Sequence, residues 1–167
     1  MYFAINAFLP PYLAIEGSGR LVGPALTALN AGQLPASVLL LGVAGRLERR
    51  VWPYLAVAGL VLAGIAGMVL GSGYWIPVCT GIFGFSGAAG LTLVLTLPPL
   101  LSVPEDVART SAAMFTISYS GAVVVALASG AVWDLTGVPA LAFLPIALCG
   151  AVLAGAALLL RAHGRLV

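Results

Sequence analysis

Residues 51–104 read VWPYLAVAGLVLAGIAGMVLGSGYWIPVCTGIFGFSGAAGLTLVLTLPPLLSVP, and this run of 54 residues contains no charged side chain. An α-helix rises 1.5 Å per residue, so about 20 apolar residues cross the roughly 30 Å hydrocarbon core of a bilayer. The run therefore predicts two membrane spans. Residues 71–73 (Gly-Ser-Gly) predict the turn between them, and Tyr74 and Trp75 suit the headgroup layer that follows.

The composition of the whole chain also indicates a lipid environment. Of 167 residues, 62% are hydrophobic and only 7% are charged, and the mean hydropathy is +1.14. In a soluble domain about a quarter of all residues are charged. A water-soluble fold is therefore excluded, and the lipid bilayer is the expected partner. The net charge is +2, and the charged residues do not cluster in any one segment, so no nucleic-acid partner is expected. The absence of lysine and the frequent alanine and glycine are typical of a GC-rich, bacterial source.

The uncharged gaps between the remaining charges hold the other spans. We predict an all-α membrane protein with a single domain, residues 1–167, that forms a six-transmembrane-helix bundle. The predicted spans are residues 1–15, which are short enough to be a truncated span, 21–45, 53–70, 74–99, 108–133 and 138–160. Pro24, Pro35, Pro77 and Pro145 lie within or near span interiors and predict kinks there.

The arginines predict the orientation. Six of them fall on one side of the membrane, and Arg20 alone falls on the other. The six are Arg46, Arg49, Arg50, Arg109, Arg161 and Arg165. Under the positive-inside rule, this distribution predicts a multi-pass protein of the cell (plasma or inner) membrane with both termini cytoplasmic.

Polar side chains are unevenly distributed among the spans. The third and sixth spans contain almost none and are expected to face lipid, whereas the other four carry polar groups near mid-membrane depth. In the second span Asn30, Gln33 and Ser37 lie within about 60° of one another, and Tyr2 and Asn6 are one turn apart in the first. We predict a cavity lined by spans one, two, four and five. The candidate substrate-binding residues are Asn6, Asn30, Gln33, Ser86, Thr116 and Tyr119.

These side chains have a second interpretation, in which they join helices by hydrogen bonds. For a single serine or threonine this interpretation is the better one. For Asn30 with Gln33 we favour cavity lining, because two amides one turn apart are costly in lipid without water or a ligand. No span interior contains an acidic, basic or histidine side chain, so the predicted surface suits a small polar or weakly anionic organic solute. The glycines that recur every third residue from Gly81 to Gly90 predict close helix packing.

An enzymatic function is not expected. Residues 84–87 (Gly-Phe-Ser-Gly) resemble the nucleophile motif of rhomboid intramembrane proteases, but a serine needs a base to take its proton. The only histidine, His163, follows Arg161 in the predicted cytoplasmic tail and cannot reach Ser86 in mid-bilayer. The two cysteines lie in apolar runs, and neither a metal nor a cofactor is expected.

The arrangement resembles one half of a major facilitator superfamily transporter. In that family a basic cytoplasmic loop joins the second and third helices of each half, and this chain has a shortened version with Glu in place of the usual Asp. The loop motif here consists of Gly45, Arg46, Glu48, Arg49 and Arg50. Residues 104–113 and 130–137 resemble the family's loop between the tenth and eleventh spans and the end of the eleventh. Phe8-Leu9-Pro10, Tyr12-Leu13 and Gly17 are similar to the seventh span of the cyanate and nitroimidazole permease branch.

The resemblance implies a function and a partner. Transporters of this superfamily bind solute between two six-helix bundles and alternate access by rocking one against the other. This chain corresponds to the C-terminal half, and the N-terminal six-helix half, in the same gene or a separate chain, is expected as its partner. We therefore expect a secondary carrier for a small organic or weakly anionic solute that is incomplete alone. The alternatives are a self-contained or homodimeric six-helix channel or carrier, and a membrane assembly protein without transport.

Overall fold

Helices make up nearly the whole chain in the computed structural model, which describes residues 1–47 and 49–164. Within these ranges the protein is 89% helical and has no strands, which confirms the predicted all-α class. The α-helices are α1 (Tyr2–Ile15), α2 (Val22–Ala31), α3 (Gln33–Leu47), α4 (Val51–Leu70), α5 (Trp75–Leu95), α6 (Leu97–Leu101), α7 (Val107–Thr136) and α8 (Leu144–Ala162). Short 3-10 turns at Gly19–Leu21, Pro104–Asp106 and Pro139–Phe143 precede α2, α7 and α8.

Four helical segments among the described residues are long and apolar enough to cross a membrane. They are Val51–Leu70, Trp75–Leu100, Pro104–Thr136 and Pro139–Ala162. They coincide with the last four predicted spans. The other two predicted spans are shorter as helices: α1 has 14 residues, and α2 and α3 have 10 and 15. Six spans, and the six-helix transporter half, therefore stay predictions.

The second predicted span, residues 21–45, is divided at Gly32. The Gly32 backbone is still helical, with φ −60° and ψ −23°, so α2 and α3 follow one helical path. Its N–H donates to the Ala28 carbonyl at 2.8 Å. Pro35 has no N–H to donate to the Ala31 carbonyl, so one helical hydrogen bond is missing next to Gly32. Together α2 and α3 extend about 39 Å, enough for one crossing.

Helix α5 lies at the centre of the bundle and packs most extensively against α4, α2 and α3. Glycines allow this: a Cβ on Gly84 would overlap the Leu29 carbonyl oxygen of α2. A Cβ on Gly81 would also contact α2. A Cβ on Gly90 would lie 3.0 Å from Val57 Cγ1 of α4, whereas a Cβ on Gly87 would have no neighbour within 4 Å. The predicted close packing therefore holds at three of the four glycines.

The buried side chains form two clusters along the bundle. The first contains Leu9 of α1, Phe83 of α5 and Phe143 before α8. The second contains Leu40 of α3 and Leu93 of α5. Both clusters draw on α4, α5 and the α8 region. The third predicted span, now α4, is therefore a core helix and the most buried of the four long segments, contrary to the expectation that it faces lipid.

Helix α7 stands at the edge of this core. Only 6% of the most apolar stretch of Pro104–Thr136 is buried, and the Ile117 side chain is 72% exposed. Its C-terminal half packs against α1, where the rings of Phe8 and Trp133 lie 6.0 Å apart. The helix ends at Gly137, whose φ of +66° is left-handed and whose N–H donates to the Trp133 carbonyl.

Candidate solute-binding groove

A shallow, open groove lies on the surface beside the α2–α3 junction. Its lining residues are Leu26, Thr27, Asn30, Ala31 and Leu34. All five belong to α2 or to the first turn of α3, so one helical path supplies the wall and the groove is open opposite it. The surface combines one amide and one hydroxyl with three apolar side chains.

Asn30 is the polar centre of the groove, and both ends of its amide are bonded. The Tyr2 hydroxyl donates to Asn30 Oδ1 at 2.6 Å. Asn30 Nδ2 donates to the Leu26 carbonyl, one turn back on α2, at 2.7 Å. A side chain of α1 therefore reaches the predicted polar stripe of α2.

Two other predicted residues lie close to Asn30 in the fold. Asn6 is half-buried, and its Nδ2 donates to the Tyr2 carbonyl at 3.0 Å. Gln33 follows Asn30 by one turn and donates from Nε2 to the Leu29 carbonyl at 3.4 Å. Asn6 and Asn30 thus share Tyr2 as a partner, Asn6 through the Tyr2 backbone and Asn30 through its hydroxyl. Neither Asn6 nor Gln33 lines the groove itself.

The remaining three candidates lie elsewhere. Ser86 is fully buried in the bundle interior, and its hydroxyl donates to the Phe83 carbonyl at 2.9 Å. Thr116 is exposed on α7 and donates to the Ala112 carbonyl at 2.9 Å. Tyr119 is 63% exposed and stacks on Phe115, with ring centroids 6.4 Å apart. None of the three lines the groove.

The second interpretation of these polar side chains was that they join helices by hydrogen bonds. Asn6, Ser86 and Thr116 each donate to a carbonyl of their own helix, and Gln33 at the start of α3 donates to the Leu29 carbonyl of α2 on the same helical path. Such local bonding satisfies a polar side chain without a partner helix. Within residues 1–47 and 49–164, Asn30 is the one candidate bonded to a separate helical path, and that bond comes from the Tyr2 hydroxyl of α1.

The loop motif predicted to be cytoplasmic lies at the α3–α4 connection. Gly45 and Arg46 are exposed in the last turns of α3, and Arg49 and Arg50 are exposed before α4. The Arg50 N–H donates to the Leu47 carbonyl at 2.9 Å and closes the turn. Glu48 of the motif, like Arg165 of the positive tail, lies outside the described residues.

The groove offers neutral hydrogen bonding rather than acid–base chemistry. Its five lining residues include no acidic, basic or histidine side chain. Within residues 1–47 and 49–164, no group of three or more metal-ligating side chains could hold an ion. The arrangement can bind and orient a solute through an amide and a hydroxyl.

The bond between Tyr2 and Asn30 was not predictable from helical spacing. Spacing places Tyr2 beside Asn6 on α1 and Asn30 beside Gln33 on α2, but it does not say which helices adjoin. The one available signal was that an amide in a membrane span requires a partner.

Comparisons with family models, curated proteins and solved structures found no match to this chain. Its function has to be argued from its own residues and geometry.

Proposed function

We propose that this chain is a six-helix bundle that forms one half of a secondary transporter of the major facilitator type. It resides in the cell membrane with both termini cytoplasmic, and it carries a small organic or weakly anionic solute. The second wall of the solute site comes from a complementary six-helix half. The chain is a carrier component rather than an enzyme.

The observation that carries this proposal is the one-sided groove. Its polar centre, Asn30, lies about a third of the way along the α2–α3 path, which places it inside the hydrocarbon core if that path crosses the bilayer. Binding sites bury most of a small ligand's surface, and a wall from one helical path cannot do so. A second bundle packed against the open side would complete the enclosure.

The exposure of α7 supports a partner. Its N-terminal half carries an apolar surface together with the hydroxyls of Thr116, Ser118 and Tyr119, all exposed. Polar groups in a membrane helix are rarely turned to lipid. A partner bundle covering this face would remove them from the acyl chains.

The test is reconstitution. The transcript that encodes this chain, or a neighbouring gene, is expected to encode six further spans. Proteoliposomes containing both halves should take up small organic anions, with cyanate and acetate as the first probes. Replacement of Asn30 by alanine should lower uptake, with Gly87→Ala, whose added methyl group has open space, as the matched control.

Vesicles with this polypeptide alone separate the alternatives. No uptake by the single bundle is the result that the proposal predicts. Saturable uptake by the single bundle would contradict it and favour a homodimeric carrier, in which two copies close the groove of each other.

A further inference from the structure

We infer that Tyr2 is a positioning residue that fixes the Asn30 amide, so that the groove presents an N–H donor to a hydrogen-bond acceptor on the solute. The solute class that follows is a small molecule with a carboxylate or carbonyl oxygen and an apolar body. The inference rests on the proposed function for its solute, although its structural part concerns this chain alone.

The orientation of the Asn30 amide follows from its partners. The Leu26 carbonyl can only accept a hydrogen bond, so the amide atom 2.7 Å from it must be Nδ2. The other end of the amide is therefore Oδ1, which can only accept. The Tyr2 hydroxyl, 2.6 Å away, must donate to it. The two bonds together exclude the flipped amide, because the flip would place two carbonyl oxygens face to face.

This orientation decides what the groove can recognise. An amide nitrogen carries two hydrogens, and the Leu26 carbonyl takes one of them. The second has no partner among the described residues, and Asn30 lines the groove. The Thr27 hydroxyl, one turn away in the same lining, can donate to the same solute oxygen. Leu26, Ala31 and Leu34 offer apolar contacts to the rest of the molecule.

Tyr2 acts through Asn30. It is not among the five lining residues, and its bond to the groove is the one from its hydroxyl to Asn30 Oδ1. Without its hydroxyl, Oδ1 loses its donor, and only the bond to the Leu26 carbonyl holds the amide. The N–H is then less firmly oriented, and the groove binds an acceptor less tightly.

The sequence makes a direct test possible, because the chain has only two asparagines, Asn6 and Asn30, and one glutamine, Gln33. Selective ¹⁵N labelling of asparagine in the detergent-solubilised chain gives two side-chain NH₂ signal pairs. Acetate, which only accepts hydrogen bonds, and guanidinium, which only donates, are titrated at matched ionic strength. Acetate should shift the Asn30 pair saturably, whereas guanidinium should leave it unchanged.

The Tyr2→Phe variant tests the positioning role. It keeps the ring and the backbone carbonyl that Asn6 uses, so the Asn6 pair should stay in place and report an intact fold. The Asn30 pair should move, and its apparent acetate affinity should fall about fivefold, as expected for loss of one positioning hydrogen bond. Tyr74→Phe is the control, since Tyr74 is 81% exposed at the α4–α5 turn.

The outcomes separate this inference from the proposed function. An Asn30 pair unchanged in Tyr2→Phe, or shifted equally by guanidinium, overturns the inference even if the complete transporter carries anions. A Tyr2-dependent acetate shift supports it even if no combination of halves transports solute, in which case the proposed function fails and the inference stands as a binding property.

Discussion

A hydroxyl buried in an apolar bundle needs an acceptor, and Tyr12 shows how this chain provides one. Its hydroxyl donates at 3.3 Å to the Val69 carbonyl in the last turn of α4, where helical carbonyls lack an internal partner. Its ring meets Phe143 edge-on, with centroids 5.2 Å apart. One side chain therefore ties α1 to both α4 and the α8 region.

We expect Tyr12→Phe to keep the ring contact and lose the bond to Val69. The cost should be about 1 kcal/mol in the free energy of unfolding, the usual net value of one hydrogen bond. Denaturant titration in detergent micelles measures it. Tyr74→Phe is the matched control and should change stability little; equal loss in both variants would contradict a specific role for the Tyr12 hydroxyl.

Glycine is required in the helices for two different reasons. Gly84 is required because α2 leaves no room for a side chain, whereas Gly137 is required because its backbone is left-handed in open space. The spacing of the glycines predicted close packing, but it could not say that Gly87 faces no neighbour. That distinction depends on which face of α5 meets α2, and a single sequence does not contain it.

Gly84→Ala should destabilise the bundle by roughly 1–3 kcal/mol, because the new methyl group forces α2 and α5 apart. The control is Gly87→Ala on the same helix, which should be neutral or slightly stabilising, since alanine favours helix. Unfolding midpoints of the two variants in mixed micelles make the comparison. Similar midpoints would show that α2 and α5 are not packed backbone to backbone.

Gly137→Ala should cost about 1–2 kcal/mol, because a left-handed conformation brings a Cβ close to the backbone. No steric clash contributes, as nothing lies within 4 Å of the position. Gly121→Ala, within the same helix and also in open space, supplies the control and should not destabilise. Thermal unfolding followed by circular dichroism distinguishes the two.

The positions of the charged residues determine where the long apolar helices begin and end. Twelve charged residues delimit the apolar runs, so the last four spans could be predicted from the sequence to within a few residues at most ends. The break at Gly32 and the short α1 could be anticipated only in part, from Pro35 and from the length of the first run. The assembly of the candidate site depends on contacts between helices, so the sequence could single out Asn30 as a candidate but could not predict its bond to Tyr2.

The crossing of the membrane by α2–α3 is the step on which the six-span arrangement depends, because this path is divided at Gly32. Single cysteines placed at Arg20, before α2, and at Arg49, after α3, lie at exposed positions on its two sides. Labelling of whole cells with a membrane-impermeant maleimide measures which side each occupies. We predict that Arg20→Cys is labelled in intact cells and Arg49→Cys only after permeabilisation; labelling of both from the same side would contradict the six-span bundle.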